Sequence, residues 1–166
     1  MGNYINEEFE DIVSPILEID EFNQLKYITH HGITRFDHSM RVAYLSYKVS
    51  KLLRLNYKEV TEAALLHDFF LDEVSHESKT ERLRHHPEYA VKNASKYIDL
   101  SDMQKDIIKT HMFPVTLTPP KYLESWIVDA IDDVAAVYEG CYRMHHEFQT
   151  AMLLFMFLVV NFVKMR

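Results

Sequence analysis

The stretch Ala64-Leu65-Leu66-His67-Asp68 limits what this chain can fold into more than any other. An apolar run with the character of a buried helix ends in a histidine and an aspartate, and Phe69, Phe70 and Leu71 follow. Aspartate is rarely buried unless it is paired or holds a metal. A fold that buries this run must therefore bring partners to the doublet. Successive helical side chains point about 100° apart, so both groups reach one ion only if it lies between them. The chain offers His38, His86, His111 and Asp132 as further groups.

Helical patterning dominates the remainder. Only three glycines and five prolines punctuate 166 residues, a length that fits one domain with a sizeable core. Residues 3–13 read as a short amphipathic helix. Ser14 and Pro15 read as the cap and first position of a second helix running to about His30, burying Ile16, Ile19, Phe22, Leu25 and Ile28 and ended by Gly32. Thr34 to Leu55 reads as a long helix with an apolar face of Phe36, Met40, Ala43, Tyr44, Tyr47, Val49 and Leu52. After a break at Asn56, another helix reaches His67. A polar connection, Asp72 to Arg84, follows the doublet and is placed to line a site.

His85-His86-Pro87-Glu88 then reads as a helix start with Pro87 near its first position. Ser101 and Gln104 form a capping box for the helix that carries Ile107, Ile108 and His111. Prolines 114, 119 and 120 bracket an irregular stretch, 112–121. The next helix is expected to bury Trp126, Ile127, Ala130, Ile131, Val134 and Val137. A separate last helix, about His146 to Val163, is apolar nearly all round, as for a central helix or a partner surface. No strand signal stands out. The expectation is an all-α fold of about seven or eight helices in one domain, 1–166.

A formal net charge of -7 argues against a general nucleic-acid surface, though bound metal ions would reverse the sign locally for a small phosphorylated substrate. The single cysteine, Cys141, excludes an internal disulfide framework, suits a reducing cytoplasm and is expected as a small buried hydrophobe. The polar, acidic first residues do not read as a signal peptide. The apolar run 151–163 falls short of the roughly 20 residues that span a bilayer. These features point to a cytoplasmic protein with no membrane partner.

Taken in order, His38 in Arg35-Phe36-Asp37-His38, the doublet His67-Asp68, His86-Pro87-Glu88, Ile107-Ile108-Lys109-Thr110-His111 and Asp132 in Ile127-Val128-Asp129-Ala130-Ile131-Asp132 make the chain resemble the HD-domain metal-dependent phosphohydrolases. The likeness spans about residues 33–139. It implies an HD-like helical bundle in which His38, His67, Asp68 and Asp132 hold one metal, and His86 and His111 hold a second, with Asp68 bridging. Asp129 and Asp133 are rival ligands. Imidazole and carboxylate donors suit Fe or Mn, with Mg, Zn, Ni or Co as alternatives.

The activity implied is hydrolysis of a phosphate ester or anhydride by metal-activated water. Asp68 is the expected bridge and orienter, and His85 a candidate for proton transfer. Arg35, one turn before His38, is the foremost phosphate donor, followed by Lys109, Lys79 and Arg82. A nucleotide or dinucleotide polyphosphate is the expected substrate, with Phe69, Phe70, Phe113 and Tyr122 available to stack on a base. Met112-Phe113-Pro114 stands where the cyclic-dinucleotide phosphodiesterase branch has glycine-tyrosine-proline, which argues against that branch. Two rival functions stay open: a non-catalytic regulatory protein binding metal or nucleotide, and a di-iron oxygenase of similar fold. The apolar last helix is also a candidate homodimer surface.

Overall fold

The computed structural model describes residues 6–30, 33–71 and 79–164. Among these the chain forms seven α-helices and one 3-10 turn, with a two-stranded hairpin as its only sheet. Helix α1 (Glu7–Leu17) is capped by Asn6, whose side chain accepts from the Phe9 N–H. It runs straight through Pro15, so Ser14 and Pro15 do not open a new helix. Buried Phe9, Val13 and Ile16 keep helical spacing across the proline, and burying that face outweighs one missing N–H.

The expected second helix is shorter than its apolar pattern suggested. Helix α2 (Asp20–Asn23) passes into the 3-10 turn (Gln24–Tyr27) and then into strand β1 (Thr29–His30), which pairs antiparallel with β2 (Ile33–Thr34). The expected stop at Gly32 lies outside the described residues.

Helix α3 (Arg35–Leu52) begins at Thr34, whose hydroxyl accepts from the Asp37 N–H at 3.0 Å. Its buried face contains Phe36, Val42, Ala43 and Tyr47, but also His38, Ser39, Ser46 and Ser50. Leu52 is 80% exposed, so the apolar face read from the sequence is partly rotated. Helix α4 (Tyr57–Leu66), the main partner of α3, buries Val60, Ala63, Ala64, Leu65 and Leu66.

Helix α5 (Lys79–Ala94) starts earlier than His85, and Pro87 lies inside it. Residues 79–84 are therefore helical; residues 72–78 lie outside the described residues. Helix α6 (Asp102–Thr110) carries the expected capping box: Ser101 Oγ accepts from the Gln104 N–H, and Gln104 Oε1 accepts from the Ser101 N–H.

Helix α7 (Leu123–Lys164) is 42 residues long and continuous where two helices were expected. Gly140 is the only weak helix former near the expected break, and one glycine costs about 1 kcal/mol. Among its described side chains the buried ones are Ser125, Val128, Asp129, Asp132, Ala135 and Glu139. The expected apolar side faces outward instead, with Trp126 44%, Val134 66% and Val137 67% exposed. Cys141, expected to be buried, is exposed. Among the described residues no helix is long and apolar enough to cross a membrane.

Asp106 ties α6 to the start of α7. Its buried carboxylate accepts from the Lys121 N–H at 2.9 Å and from Ser125 Oγ at 2.7 Å. Replacing it with alanine strands both donors, so Asp106→Ala should lower unfolding free energy by about 1–3 kcal/mol in urea denaturation.

Candidate metal centre

Helix ends place the doublet. Helix α4 stops at Leu66, leaving His67 as its C-cap and Asp68 just beyond. His67 Nδ1–H donates to the Ala64 carbonyl at 2.7 Å, which fixes the ring and turns Nε2 toward the centre. That nitrogen is fully buried and has no hydrogen-bond partner; the nearest oxygens, Asp132 Oδ1 at 3.6 Å and Asp68 Oδ2 at 3.9 Å, are out of range. His111 repeats the device at the end of α6, its Nδ1–H donating to the Ile108 carbonyl at 2.8 Å. Its Nε2 sits 2.9 Å from His86 Nε2, delivered by α5.

Asp68 lies between these groups. Its Oδ1 is 3.4 Å from His86 Nε2 and 3.8 Å from His111 Nε2. Its Oδ2 faces His67 and, at 4.0 Å, the Arg35 Nε. From α3, His38 presents Nε2 2.8 Å from Asp132 Oδ1 on α7. None of the six residues is more than 8% exposed.

The clusters His38–His67–Asp68, His67–His111–Asp132 and Asp68–His86–His111 each bring their ligand atoms within 4.8 Å of one another. An orphaned, buried imidazole nitrogen among two carboxylates and three further imidazoles fits a divalent cation. Two imidazole nitrogens facing each other at 2.9 Å likewise need a proton or a metal between them.

Without metal the carboxylates split the imidazoles: Asp132 and Asp68 raise His38 and His67 against their burial, so a cation must displace protons there. Burial alone would push the His38 imidazole down, but its hydrogen bonds to Asp132 and Glu139 raise it to about 10. Burial would lift the Asp132 carboxyl, yet His67 and His38 hold it well below the ordinary value. Burial, with His67 and His86 beside it, pushes His111 down to about 3, so its ring stays neutral as a ligand requires.

Other expected residues are placed differently. Asp133 is exposed and Asp129 accepts from the Phe113 N–H at 3.2 Å, and neither joins a cluster. His85 is exposed on α5, its ring 6.5 Å from Tyr89; the 100° step from His86 turns it away from the site. Lys109 is exposed on α6. The side chains of Lys79 and Arg82 lie outside the described residues. Arg35 is at the site but committed: Nη1 donates to the Phe70 carbonyl at 2.5 Å and the guanidinium lies 3.7 Å over the Phe70 ring. Phe69 is core, packed on Phe22.

One residue was missed in the sequence. Glu139, buried on α7, accepts from His38 Nδ1–H at 3.0 Å and pairs through its other oxygen with Arg41. It stands seven residues after Asp132, two helical turns on the same face. That spacing was readable, but no motif distinguished it.

The sequence model of the HD domain matches residues 35–137. The chain belongs to the HD-domain family. Comparisons with curated proteins and with solved structures gave no match. Family membership and the His/Asp clusters together support a metal-dependent phosphohydrolase activity, with the clusters suited to divalent metal.

Asp129 supplies a pH test of this HD protein without metal. Burial, and then Asp133 beside it, raise its carboxyl to about 6 from 3.8. A raised carboxyl favours the folded state only while protonated: its contribution is full below 3.8 and is lost as pH rises through 6. With chelator present, Asp129→Asn should therefore unfold at a higher temperature than the wild type at pH 8. The gain should vanish near pH 4, as read by thermal scans at both values.

Proposed function

We propose that the protein hydrolyses a phosphate ester or anhydride of a nucleotide or dinucleotide polyphosphate. The orphaned Nε2 of His67, aimed into a buried set of imidazoles and carboxylates, is the observation that carries this reading. His38, His67, Asp68 and Asp132 would hold one cation, and His86 and His111 a second. The two oxygens of Asp68, facing opposite groups, suit it to serve both. Bound divalent ions, with Fe or Mn favoured by the donor set, supply Lewis-acid activation of water and neutralise phosphate charge.

The residues of the chain do the rest. Asp68 orients the two halves of the site. Arg35, stacked on Phe70 and 4.0 Å from Asp68, brings fixed positive charge to the place where phosphate oxygens would lie. Half-buried Phe113, two residues past His111, meets Trp126 edge to face at 5.4 Å and offers aromatic surface for a base. His85 and Lys109, both exposed, are left out of this reading.

The chain acts here as one domain, with residues 33–139 carrying the chemistry. A lone exposed cysteine suits a reducing cytoplasm. We further propose a homodimer through α7. Val134, Val137, Tyr138, Tyr142, Met144 and Phe148 are each 58% exposed or more, on a helix whose inner face belongs to the site. Pairing with a second α7 would cover this apolar surface.

Metal analysis of protein prepared under low oxygen, without chelators or a metal affinity column, tests the hydrolase reading. Close to two equivalents of Fe or Mn are expected, falling sharply in Asp68→Asn, with phosphate release from nucleotides lost in that variant by about a hundredfold or more. No metal after reconstitution, or oxygen consumption without phosphate release, would sink it. Light scattering should give twice the chain mass, reverting to a monomer in a Val137→Glu/Phe148→Glu double variant.

A further inference from the structure

We propose that Glu139, steadied by Arg41, is the positioning residue for His38, and that it makes the cluster containing His38 the tighter of the two cation sites. This rests on the reading that the clusters hold divalent cations. One turn of α3 supplies both His38 and Arg41, and two turns of α7 supply Asp132 and Glu139. The four side chains clasp the helices together. Glu139 Oε2 accepts from His38 Nδ1–H at 3.0 Å, and Arg41 Nη1 donates to Oε1. The Glu139 side chain is 1% exposed, so it is shielded from water and its geometry is set by these two partners.

The contrast with the other imidazoles gives this contact its meaning. His67 and His111 anchor Nδ1–H on backbone carbonyls of their own helices. Those bonds set the ring angle but add no charge. His38 instead leans on a carboxylate, which makes an imidazole a stronger donor at its other nitrogen as well as orienting it. Arg41 removes the cost of leaving that carboxylate buried and uncompensated, and its planar fork holds the oxygen in register.

Charge is also unequally shared. His38 lies 2.8 Å from Asp132 and 3.0 Å from Glu139, whereas among the described residues the carboxylate nearest His86 and His111 is Asp68, at 3.4 and 3.8 Å, with Asp132 further off in the cluster it shares with His111. More negative charge and a better-oriented imidazole on one side predict that the two cations load in order.

The experiment titrates chelator-stripped full-length protein with Co(II) under low oxygen, by calorimetry and by visible absorption. The wild type should bind in two steps of different affinity. Glu139→Gln keeps the shape and an accepting oxygen but removes the charge; it should weaken the tighter step about tenfold or more and leave the weaker step unchanged. The Co(II) spectrum of the first step should shift, which a purely structural role would not produce. In the metal-free protein, the ring nitrogen resonances of His38 should move while those of His111 stay. Arg41→Gln, at a half-buried position, should act in the same direction and serves if Glu139→Gln fails to fold. Folded variants that bind the first cation as the wild type does, or that weaken both steps equally, overturn the proposal. A wild type that binds no cation overturns the hydrolase reading along with it.

Discussion

Six buried polar side chains from five helices meet in the middle of this protein, and the rest of the structure answers to them. His38, His67, Asp68, His86, His111 and Asp132 are all nearly inaccessible. Apolar packing around them is ordinary, with Phe22, Leu65, Leu66, Ile107 and Val128 completely buried. Burying that many imidazoles and carboxylates without compensating charge would cost more than one domain's net stability can absorb. The arrangement makes physical sense around cations. The helix ends reflect this: α4 and α6 both terminate on a histidine whose Nδ1–H returns to its own helix, which turns Nε2 toward the common centre.

The same demand explains an inversion on α7. By hydrophobic spacing, Trp126, Ala130, Val134 and Val137 should face inward, yet they face solvent, and the inner face carries Asp129, Asp132 and Glu139. Amphipathic patterning assumes that a helix buries its greasiest side. Here a metal-binding core claims the polar side, leaving the apolar side for another surface. A long helix with clustered carboxylates inside and exposed apolar side chains outside couples its two faces physically: anything that shifts α7 moves Asp132 and Glu139 together.

The motif residues were legible because ligand chemistry restricts residue type and because their order along the chain matches the family. The direction of α7 puts Asp132 in a cluster with His67 and His111 and leaves Asp129 and Asp133 out of the clusters, which spacing along the chain did not show. Breaks at Pro15, at Pro87 and between Val137 and His146, where Gly140 lies, were misjudged for a common reason. Each costs a helix one hydrogen bond or some backbone entropy, and tertiary burial on both sides outweighs that local loss. His85 and His86 illustrate the limit from the other direction: adjacent, chemically identical, and separated by a 100° turn that places one in the core and one in water.

What the sequence alone determined was composition-level and local: an all-α fold class, though not the small hairpin at 29–34, the imidazole and carboxylate groups available, and the Ser101–Gln104 cap. These follow from residue type and from spacings of three or four residues, which fix neighbours on a single helix. Only the tertiary structure decided which face of α7 turns inward, which ring nitrogens are left to bind, and that Glu139 stands behind His38. Those outcomes depend on the rotation and separation of helices distant in sequence. His38 and Glu139 lie 101 positions apart, and no local periodicity carries information over that distance.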